Sequence, residues 1–321
     1  MKHQISSFDP RATINAALFE SSLRLQQLYW SWIDYCRRNP WTVLALKAGL
    51  LVTILMTVTL TLFVTCITVG VFGKLPSRGS LSHLTTNIAT EVYAADNSLL
   101  GRYYFENRSP IKYKDISTHF INALISTEDV RFFDHSGVDL RSWGRVFFKT
   151  ILMRQTASGG GSTITQQLAK NLYPRRDYGK SSLIINKLKE VIIARRLEKI
   201  YSKEEILEIY LNTVPFSENT YGIKVASNHF FNTTPDKLNP SQSAILVAML
   251  KATTTYNPIT QPERSKQRRD LVLRQMAKYN FLPKPLADSL IRAPLKLNYF
   301  PLNNNEGNAT YFREHLRIEL K

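Results

Sequence analysis

The chain has 321 residues and a formal net charge of +17, and 44% of its residues are hydrophobic. This length fits one large domain with a membrane anchor or two small domains, and the apolar content allows a sizeable core. Cys36 and Cys66 lie near the N-terminal end, which excludes an internal disulfide in the long region after them. The basic excess indicates an anionic partner, namely nucleic acid, phospholipid or a phosphorylated substrate, and composition alone does not choose among them.

An uncharged apolar stretch runs from Ala48 to Gly73. A helix that crosses the bilayer core needs about 20 apolar residues. A buried helix of a soluble protein is rarely apolar on every side over such a length. A cleaved signal peptide is excluded because the preceding chain and the apolar run are both too long. We therefore predict a transmembrane helix over residues 44–73, preceded by a cytoplasmic N-terminal segment over residues 1–43.

Basic residues flank this stretch on both sides. Arg37, Arg38 and Lys47 lie before or at its start, whereas Lys74 and Arg78 follow it. The bias is modest, and the positive-inside rule favours a cytoplasmic N-terminus. The bulk of the chain is then expected outside the cytoplasm.

After the membrane segment, the pattern predicts a mainly α-helical domain over residues 90–300 with a small β element at its start. Residues 74–89 are predicted to be a polar linker, and residues 90–103 alternate around Asp96 and Asn97 as in a β-hairpin. Helices are predicted at His119–Thr127, Arg141–Arg154, Thr163–Asn171, Leu183–Ile200, Lys203–Leu211, Gly222–Phe230, Ser241–Ala252, Glu263–Tyr279 and Leu286–Ile291.

Three local patterns refine this organisation. Ser202 has the position of a helix N-cap. Arg141–Met153 mixes large apolar residues with basic ones, which fits a lobe that dips into the membrane or a core helix with a basic outer face. Residues 301–321 form a C-terminal segment with an amphipathic pattern, which is expected to begin a missing linker or transpeptidase domain.

The first polar cluster spans residues 127–139. It contains the adjacent acids Glu128 and Asp129, followed by Phe132 and His135. One acid could act as a general base while the others orient it. The alternative is a solvated turn in which the acids cap the next helix.

The second cluster follows a run of three glycines. Ser162 or Thr163 is placed to cap a helix, whose free N–H groups and dipole favour an anion. Gln166 and Gln167 offer amides for sugar hydroxyls or phosphate oxygens, and Lys170 adds a positive charge. The alternative is a surface loop before an ordinary capped helix, and the cluster is not a P-loop because the Gly-Lys-Ser/Thr ending is missing.

Two further clusters lie on predicted helices. Lys187 and Glu190 share one helical face, which by itself indicates an ordinary surface pair. The helix that starts at Lys203 is amphipathic and ends near Asn212, which by itself indicates core packing with a C-cap.

In this order, the four clusters resemble the glycosyltransferase domain of peptidoglycan polymerases, as in class A penicillin-binding proteins and monofunctional peptidoglycan glycosyltransferases. The matching residues are Glu128, Asp129, Phe132, His135, Gly137 and Asp139, then Gly160 or Gly161, Ser162, Thr163, Gln166 and Gln167, then Lys187 and Glu190, and finally Lys203, Ile206, Leu207, Tyr210, Leu211 and Asn212. The resemblance covers roughly residues 90–276.

The resemblance implies a lysozyme-like glycosyltransferase fold. It also implies an enzyme that polymerises lipid II into β-1,4-linked glycan strands, with inversion and release of polyprenyl pyrophosphate. Glu128 is the expected general base, and Glu190 is the expected second catalytic carboxylate on the donor side. The residues expected to bind substrate are Asp129, Phe132, His135, Ser162, Thr163, Gln166, Gln167, Lys170, Lys187 and Asn212.

Partners and location also follow from the resemblance. The expected partners are lipid II, the growing glycan strand and membrane lipids, with cell-wall elongation or division proteins as candidates and no nucleic acid. No organic cofactor is expected, and Mg²⁺ or Mn²⁺ is a candidate at the pyrophosphate. The expected location is the bacterial inner membrane, with one membrane pass and the catalytic domain on the periplasmic or extracellular side.

The chain departs from the family pattern at two positions. Asn186 stands where the family usually has arginine, which removes one cationic contact to the substrate pyrophosphate. Arg175, Arg176 or Lys180 could substitute for it. Ser217 stands where a glycine is usual.

Other functions share parts of this pattern. A lytic glycosidase would use a similar fold and a catalytic glutamate, but the paired glutamines and the lysine-rich helix favour a lipid pyrophosphate. An inactive scaffold of the cell-wall machinery would keep the fold and lose the carboxylates, both of which are present here. Transpeptidation needs a Lys-Thr-Gly motif, and the sequence as given contains none.

Overall fold

The structure is a computed structural model that describes residues 10–82, 84, 90–93, 99–103, 110–147, 161–218 and 220–300. The chain divides into two compact units, Met1–Val71 and Phe72–Lys321. The predicted C-terminal segment 301–321 and residues 148–160, which include most of the glycine run, lie outside the described residues.

The first unit contains helix α1 (Pro10–Arg38) and helix α2 (Pro40–Val69). Proline at the first position of α2 fits a helix start because its fixed φ is helical and it has no N–H to satisfy. Gly70 ends α2 in the left-handed conformation, at φ 95°, and its N–H bonds the carbonyls of Cys66 and Ile67. The helix therefore begins and ends four residues earlier than the predicted span of 44–73.

Helix α2 is the one helix in the described part of the chain that is long and apolar enough to cross a membrane. Seven threonines lie in α2. Four of them follow one another at four-residue spacing: Thr53, Thr57, Thr61 and Thr65. Each hydroxyl donates to the carbonyl four residues earlier, at 2.8 Å. Because these hydroxyls already donate hydrogen bonds inside the helix, transferring them from water to an apolar environment costs little free energy.

The second unit begins with short helix α3 (Arg78–Ser82) and a two-stranded antiparallel sheet of β1 (Thr90–Tyr93) and β2 (Leu99–Tyr103). The remaining helices are α4 (Thr118–Glu128), α5 (Leu140–Phe147), α6 (Ile164–Leu172), α7 (Ser182–Leu197), α8 (Lys203–Thr213), α9 (Ile223–Phe231), α10 (Pro240–Leu250), α11 (Pro262–Lys278) and α12 (Lys284–Arg292). The predicted mainly α fold with a small β element is confirmed.

Helix α10 lies in the core of this unit. Every residue from Ser243 to Met249 is buried, so the helix is enclosed on all sides, and it packs against α4, α9 and α11. Helix α6 packs against α7 and α8, and Leu168 and Leu211 join the same hydrophobic core. This packing fixes the ends of α4 and α6, where the polar clusters of the sequence lie.

The predicted N-cap at Ser202 is confirmed. Its hydroxyl accepts the Glu205 N–H, and the Glu205 carboxylate accepts the Ser202 N–H at 2.7 Å, which forms a complete capping box. The start of α8 is thereby fixed, and this sets the angular positions of the residues that α8 carries towards α6.

Candidate active site

Glu128 is the last residue of α4, and its side chain is only partly exposed. Gln167 Nε2 donates to Glu128 Oε2 at 2.8 Å. Tyr210 Oη in turn donates to Gln167 Oε1 at 2.9 Å. The two bonds fix the orientation of the Gln167 amide, because its oxygen faces a donor and its nitrogen faces a carboxylate.

Tyr210 lies on α8, and its side chain, which is 1% exposed, reaches Gln167 on α6. Burial, and then the nearby Glu128 carboxylate, raise the pKa of Tyr210 well above its ordinary value. The phenol therefore remains a donor at any physiological pH. Sequence reasoning matched Tyr210 to a motif but gave it no role, because its contact with Gln167 spans two helices.

Asp129 is buried and joins two parts of the site. Its carboxylate accepts the Ile164 N–H at the start of α6, at 3.0 Å, and lies 3.0 Å from His135 Nε2. His135 Nδ1 accepts the Gly137 N–H, so Nε2 carries the ring hydrogen and donates to Asp129. A carboxylate at the start of α6 also interacts favourably with the helix dipole.

Gly137 lets the loop after His135 reach α6 and α7. It has a φ of +84°, and a Cβ there would lie 3.1 Å from the Ala194 backbone. Its carbonyl accepts Thr163 Oγ1 at 2.7 Å and Gln166 Nε2 at 3.3 Å. A side chain at this position would be strained both by the conformation and by the close approach.

Lys187 lies at the centre of a second polar group. Its Nζ bonds Ser162 Oγ at 2.7 Å, Gln166 Oε1 at 2.8 Å and Glu190 Oε2 at 3.2 Å. Burial lowers the pKa of Lys187, an effect that Glu190 opposes. Since Gln166 and Gln167 are adjacent, α6 links this group directly to Glu128.

The other oxygen of Glu190 is bound by a residue outside the helices. Arg175 Nε donates to Glu190 Oε1 at 2.8 Å from the segment between α6 and α7. Asn186 holds this segment: its Nδ2 donates to the Arg176 carbonyl at 2.8 Å, and its Oδ1 accepts the Arg176 N–H at 3.2 Å. Glu190 is 5% exposed, so two cations balance a buried carboxylate.

Asp139 caps the start of α5. Burial alone would raise the pKa of its carboxyl group. Hydrogen bonds from Ser142 and the Arg131 guanidinium have the larger, opposite effect and bring the pKa down to about 2. The carboxylate also accepts the Arg141 and Ser142 N–H groups. Asp139 is therefore a charged cap for α5, which sequence analysis placed in a motif without a role.

Two residues expected to bind substrate are buried in contacts within the protein. Phe132 is fully buried, with the Lys203 Nζ 4.4 Å from its ring centroid. Asn212 is 8% exposed, and its amide forms 2.9 Å bonds with both the N–H and the carbonyl of Ile111. These contacts give both residues a supporting role in the fold, and contact of either residue with substrate stays a prediction.

The other predicted residues differ in accessibility. Thr163 caps α6 with its hydroxyl, and it is buried together with Gln166 and Asp129, so these three hold the site together. Ser162 and Gln167 are partly exposed, and they bond Lys187 and Glu128, respectively. Lys170 is exposed on the last turn of α6, and its pairing with substrate stays a prediction.

The residues around Glu190 do not resemble a divalent-metal site. Both of its oxygens already bind cations, and the described part of the chain contains no group of three His, Cys, Asp or Glu side chains suited to a metal. Mg²⁺ and Mn²⁺ need several oxygen ligands. The predicted ion therefore has no protein ligand set among the described residues.

Comparison with known proteins gives relatives for most of the chain. It is 40% identical over 193 residues to penicillin-binding protein 1F of Bacillus subtilis, covering 60% of this chain and 26% of that protein. It is 32% identical over 247 residues to penicillin-binding protein 1A of Pseudomonas aeruginosa, covering 77% of this chain and 29% of that protein. The chain thus spans less than a third of the length of either relative.

A crystal structure of penicillin-binding protein 1A from Haemophilus influenzae matches 74% of this chain and 24% of that one, with 22% identity and a TM-score of 0.41. Residues 96–277 match the family model described as Transglycosylase. That match covers more than half of the chain and includes Glu128, Gln167, Lys187 and Glu190. The chain belongs to the transglycosylase family.

Proposed function

We propose that the chain is a peptidoglycan glycosyltransferase that polymerises lipid II. The observation that carries this proposal is the pair of carboxylates joined through adjacent glutamines. Gln167 bonds Glu128, and Gln166 bonds the Lys187 ammonium that also holds Glu190. One carboxylate is partly open and the other is buried with two cations, so their environments suit a base and an anion-binding site.

In the proposed reaction, the 4-hydroxyl oxygen of the acceptor sugar attacks the anomeric carbon of the donor. Its proton passes to Glu128, and the bond from the anomeric carbon to the pyrophosphate oxygen breaks with its electron pair on the pyrophosphate. Attack opposite the leaving group inverts the configuration and forms a β-1,4 link. Gln167 keeps one Glu128 oxygen hydrogen-bonded, so the carboxylate is positioned before the acceptor arrives.

The leaving pyrophosphate gains negative charge, and nearby cations stabilise that charge. Lys187 and Arg175 are already assembled around Glu190, with nitrogen–oxygen distances of 3.2 Å and 2.8 Å. We assign Glu190 the task of holding these two cations at the donor side. In this proposal, cationic side chains of the protein stabilise the pyrophosphate. A role for Mg²⁺ or Mn²⁺ at the pyrophosphate stays a prediction from the sequence.

The exposed apolar helix α2 supports a membrane location, which suits a lipid-linked substrate. The flanking charges favour placement of the second unit on the periplasmic or extracellular side of a bacterial inner membrane. Lipid II, the growing glycan strand and membrane lipids are the proposed partners. Division or elongation proteins stay candidates.

The function is tested by chain growth from fluorescent lipid II. The purified chain, in detergent or reconstituted membranes, is expected to produce glycan ladders that moenomycin abolishes. Degradation of preformed glycan without ladders would indicate a lytic glycosidase. Neither activity in a folded, membrane-inserted sample would indicate an inactive scaffold.

Tyr210→Phe is expected to slow polymerisation by roughly tenfold, because loss of one hydrogen bond costs about 1–1.5 kcal/mol. The phenyl ring keeps the packing, but the Gln167 amide loses the bond that fixes its orientation. The measurement is the steady-state rate of polymerisation at saturating lipid II. A lower kcat with an unchanged KM is expected, whereas an unchanged kcat would show that the Gln167 orientation does not limit catalysis.

A further inference from the structure

A cavity of about 880 Å³ lies apart from the two carboxylates of the site. Glu128, Gln167, Lys187 and Glu190 do not line it. It is bordered by the C-terminal half of α7, by α3 and by the segment that leads into α5. Its cationic lining residues are Arg78, Arg131, Arg141, Arg195, Arg196 and Lys199.

Among the residues that the structure describes, the positive charge of this cavity is mostly uncompensated. Three carboxylates line it, against six cationic side chains. Asp139 is already paired with Arg131 at 2.6 Å, and Glu198 is paired with Lys203, which lies outside the lining, at 2.8 Å. Of the lining residues, five cationic side chains are therefore left, and Asp134 is the one lining carboxylate that remains to balance them.

The segment that carries Arg78 is fastened to α7. Arg196 Nη1 donates to the Pro76 carbonyl at 2.6 Å, and Tyr201 Oη donates to the Leu81 carbonyl at 2.7 Å. Arg78 follows Val69, the last residue of α2, by only nine residues. The cavity therefore lies on the unit that directly follows the predicted membrane helix along the chain.

We propose that this cavity binds the headgroup of an anionic phospholipid in the leaflet at the C-terminal end of α2. Guanidinium groups match phosphate oxygens in charge and in bidentate geometry. The volume falls in the range of sites that enclose a small ligand. This inference is independent of the proposed polymerisation, because the basic residues that carry it have no assigned role in that reaction.

The test uses the full chain in detergent, titrated with phosphatidylglycerol or with phosphatidylcholine, and native mass spectrometry counts the bound lipids. The probe variant is Arg195→Glu with Lys199→Glu, since both side chains are exposed and line the cavity. The matched control is Arg264→Glu with Lys284→Glu, which makes the same charge change at exposed positions of α11 and α12 that do not line it.

The parent and the control variant are expected to retain phosphatidylglycerol in preference to phosphatidylcholine. The probe variant is expected to bind phosphatidylglycerol more than roughly 25-fold more weakly, because each basic residue lost near an anionic lipid costs about fivefold and the two added carboxylates also repel the headgroup. Equal weakening in both variants would reduce the effect to general charge, and no weakening in the probe variant would assign the bound lipid to other surfaces. Either result overturns the proposal.

A third variant guards against misfolding. Arg195→Gln with Lys199→Gln removes both charges without adding acids, and it is expected to weaken phosphatidylglycerol binding by a smaller factor than the glutamate pair. The thermal unfolding midpoint of each variant is compared with that of the parent. Full binding by the folded glutamine pair would also contradict the proposal.

Discussion

Glu128→Gln is expected to reduce glycan polymerisation by about 10²–10⁴-fold, the usual contribution of a positioned general base. The amide has nearly the same shape as the carboxylate but cannot accept the acceptor proton. Its carbonyl oxygen can still accept the Gln167 N–H, so the local packing is retained. The measurement is the initial rate of chain growth from fluorescent lipid II, with the thermal midpoint as a check on folding.

The side chain of Glu208 offers a matched control. It lies on α8, where it bonds Lys112 Nζ at 3.1 Å and the Tyr113 N–H at 3.0 Å, and it lies outside the proposed reaction. Glu208→Gln is expected to change the rate far less than Glu128→Gln. If Glu128→Gln keeps a rate within a few-fold of the parent, Glu128 is not the base.

Arg175→Ala is expected to lower the polymerisation rate by roughly 10–100-fold. A hydrogen bond to a charged group contributes about 1.5–3 kcal/mol, and here the lost guanidinium also leaves the buried Glu190 with one cation fewer. Because the cation stabilises the departing pyrophosphate, the loss should appear in kcat. The measurement is kcat and KM for lipid II in the parent and the variant.

The position of this cation can be tested by relocation. Arg175→Ala combined with Asn186→Arg returns a guanidinium to the α7 position where the resemblance expects one. We expect this double variant to regain most of the activity that Arg175→Ala loses. A double variant no more active than Arg175→Ala would show that the two positions are not interchangeable.

Asn186→Ala gives an independent check on the same geometry. Asn186 acts on the site through the Arg176 backbone, so its loss should slow the parent but add little in the Arg175→Ala background. Such non-additivity is the expected behaviour of two residues that act through one contact. Fully additive losses would mean that Asn186 has a separate role.

Local signals predicted most of the second unit. The helices from α4 to α12 appear where apolar spacing and caps placed them, usually within two residues, and the Ser202 cap is one example. Residues 148–154 of the predicted helix at α5 lie outside the described residues. Secondary structure is recoverable here because short-range periodicity determines it.

The site was only partly predictable, because its contacts join residues far apart in the sequence. Asn212 was expected to meet substrate or to cap α8, yet its partner is the backbone of Ile111, 101 residues away. A backbone partner carries no residue-type signal. Arg175 appeared only as one of three candidate cations, and its contact with Glu190 depends on the path of the loop that Asn186 holds.

The attachment of Arg175 to a loop has a consequence for sequence variation. Each residue added to a helix rotates everything beyond it by about 100°, so a cation on α7 can tolerate no insertion between itself and Glu190. A cation on the segment between α6 and α7 is not itself on the helix, and α7 fixes its position only through the Asn186 contact with Arg176. Loop length between α6 and Arg175 can therefore drift while the charge beside Glu190 stays in place, provided that the asparagine is kept.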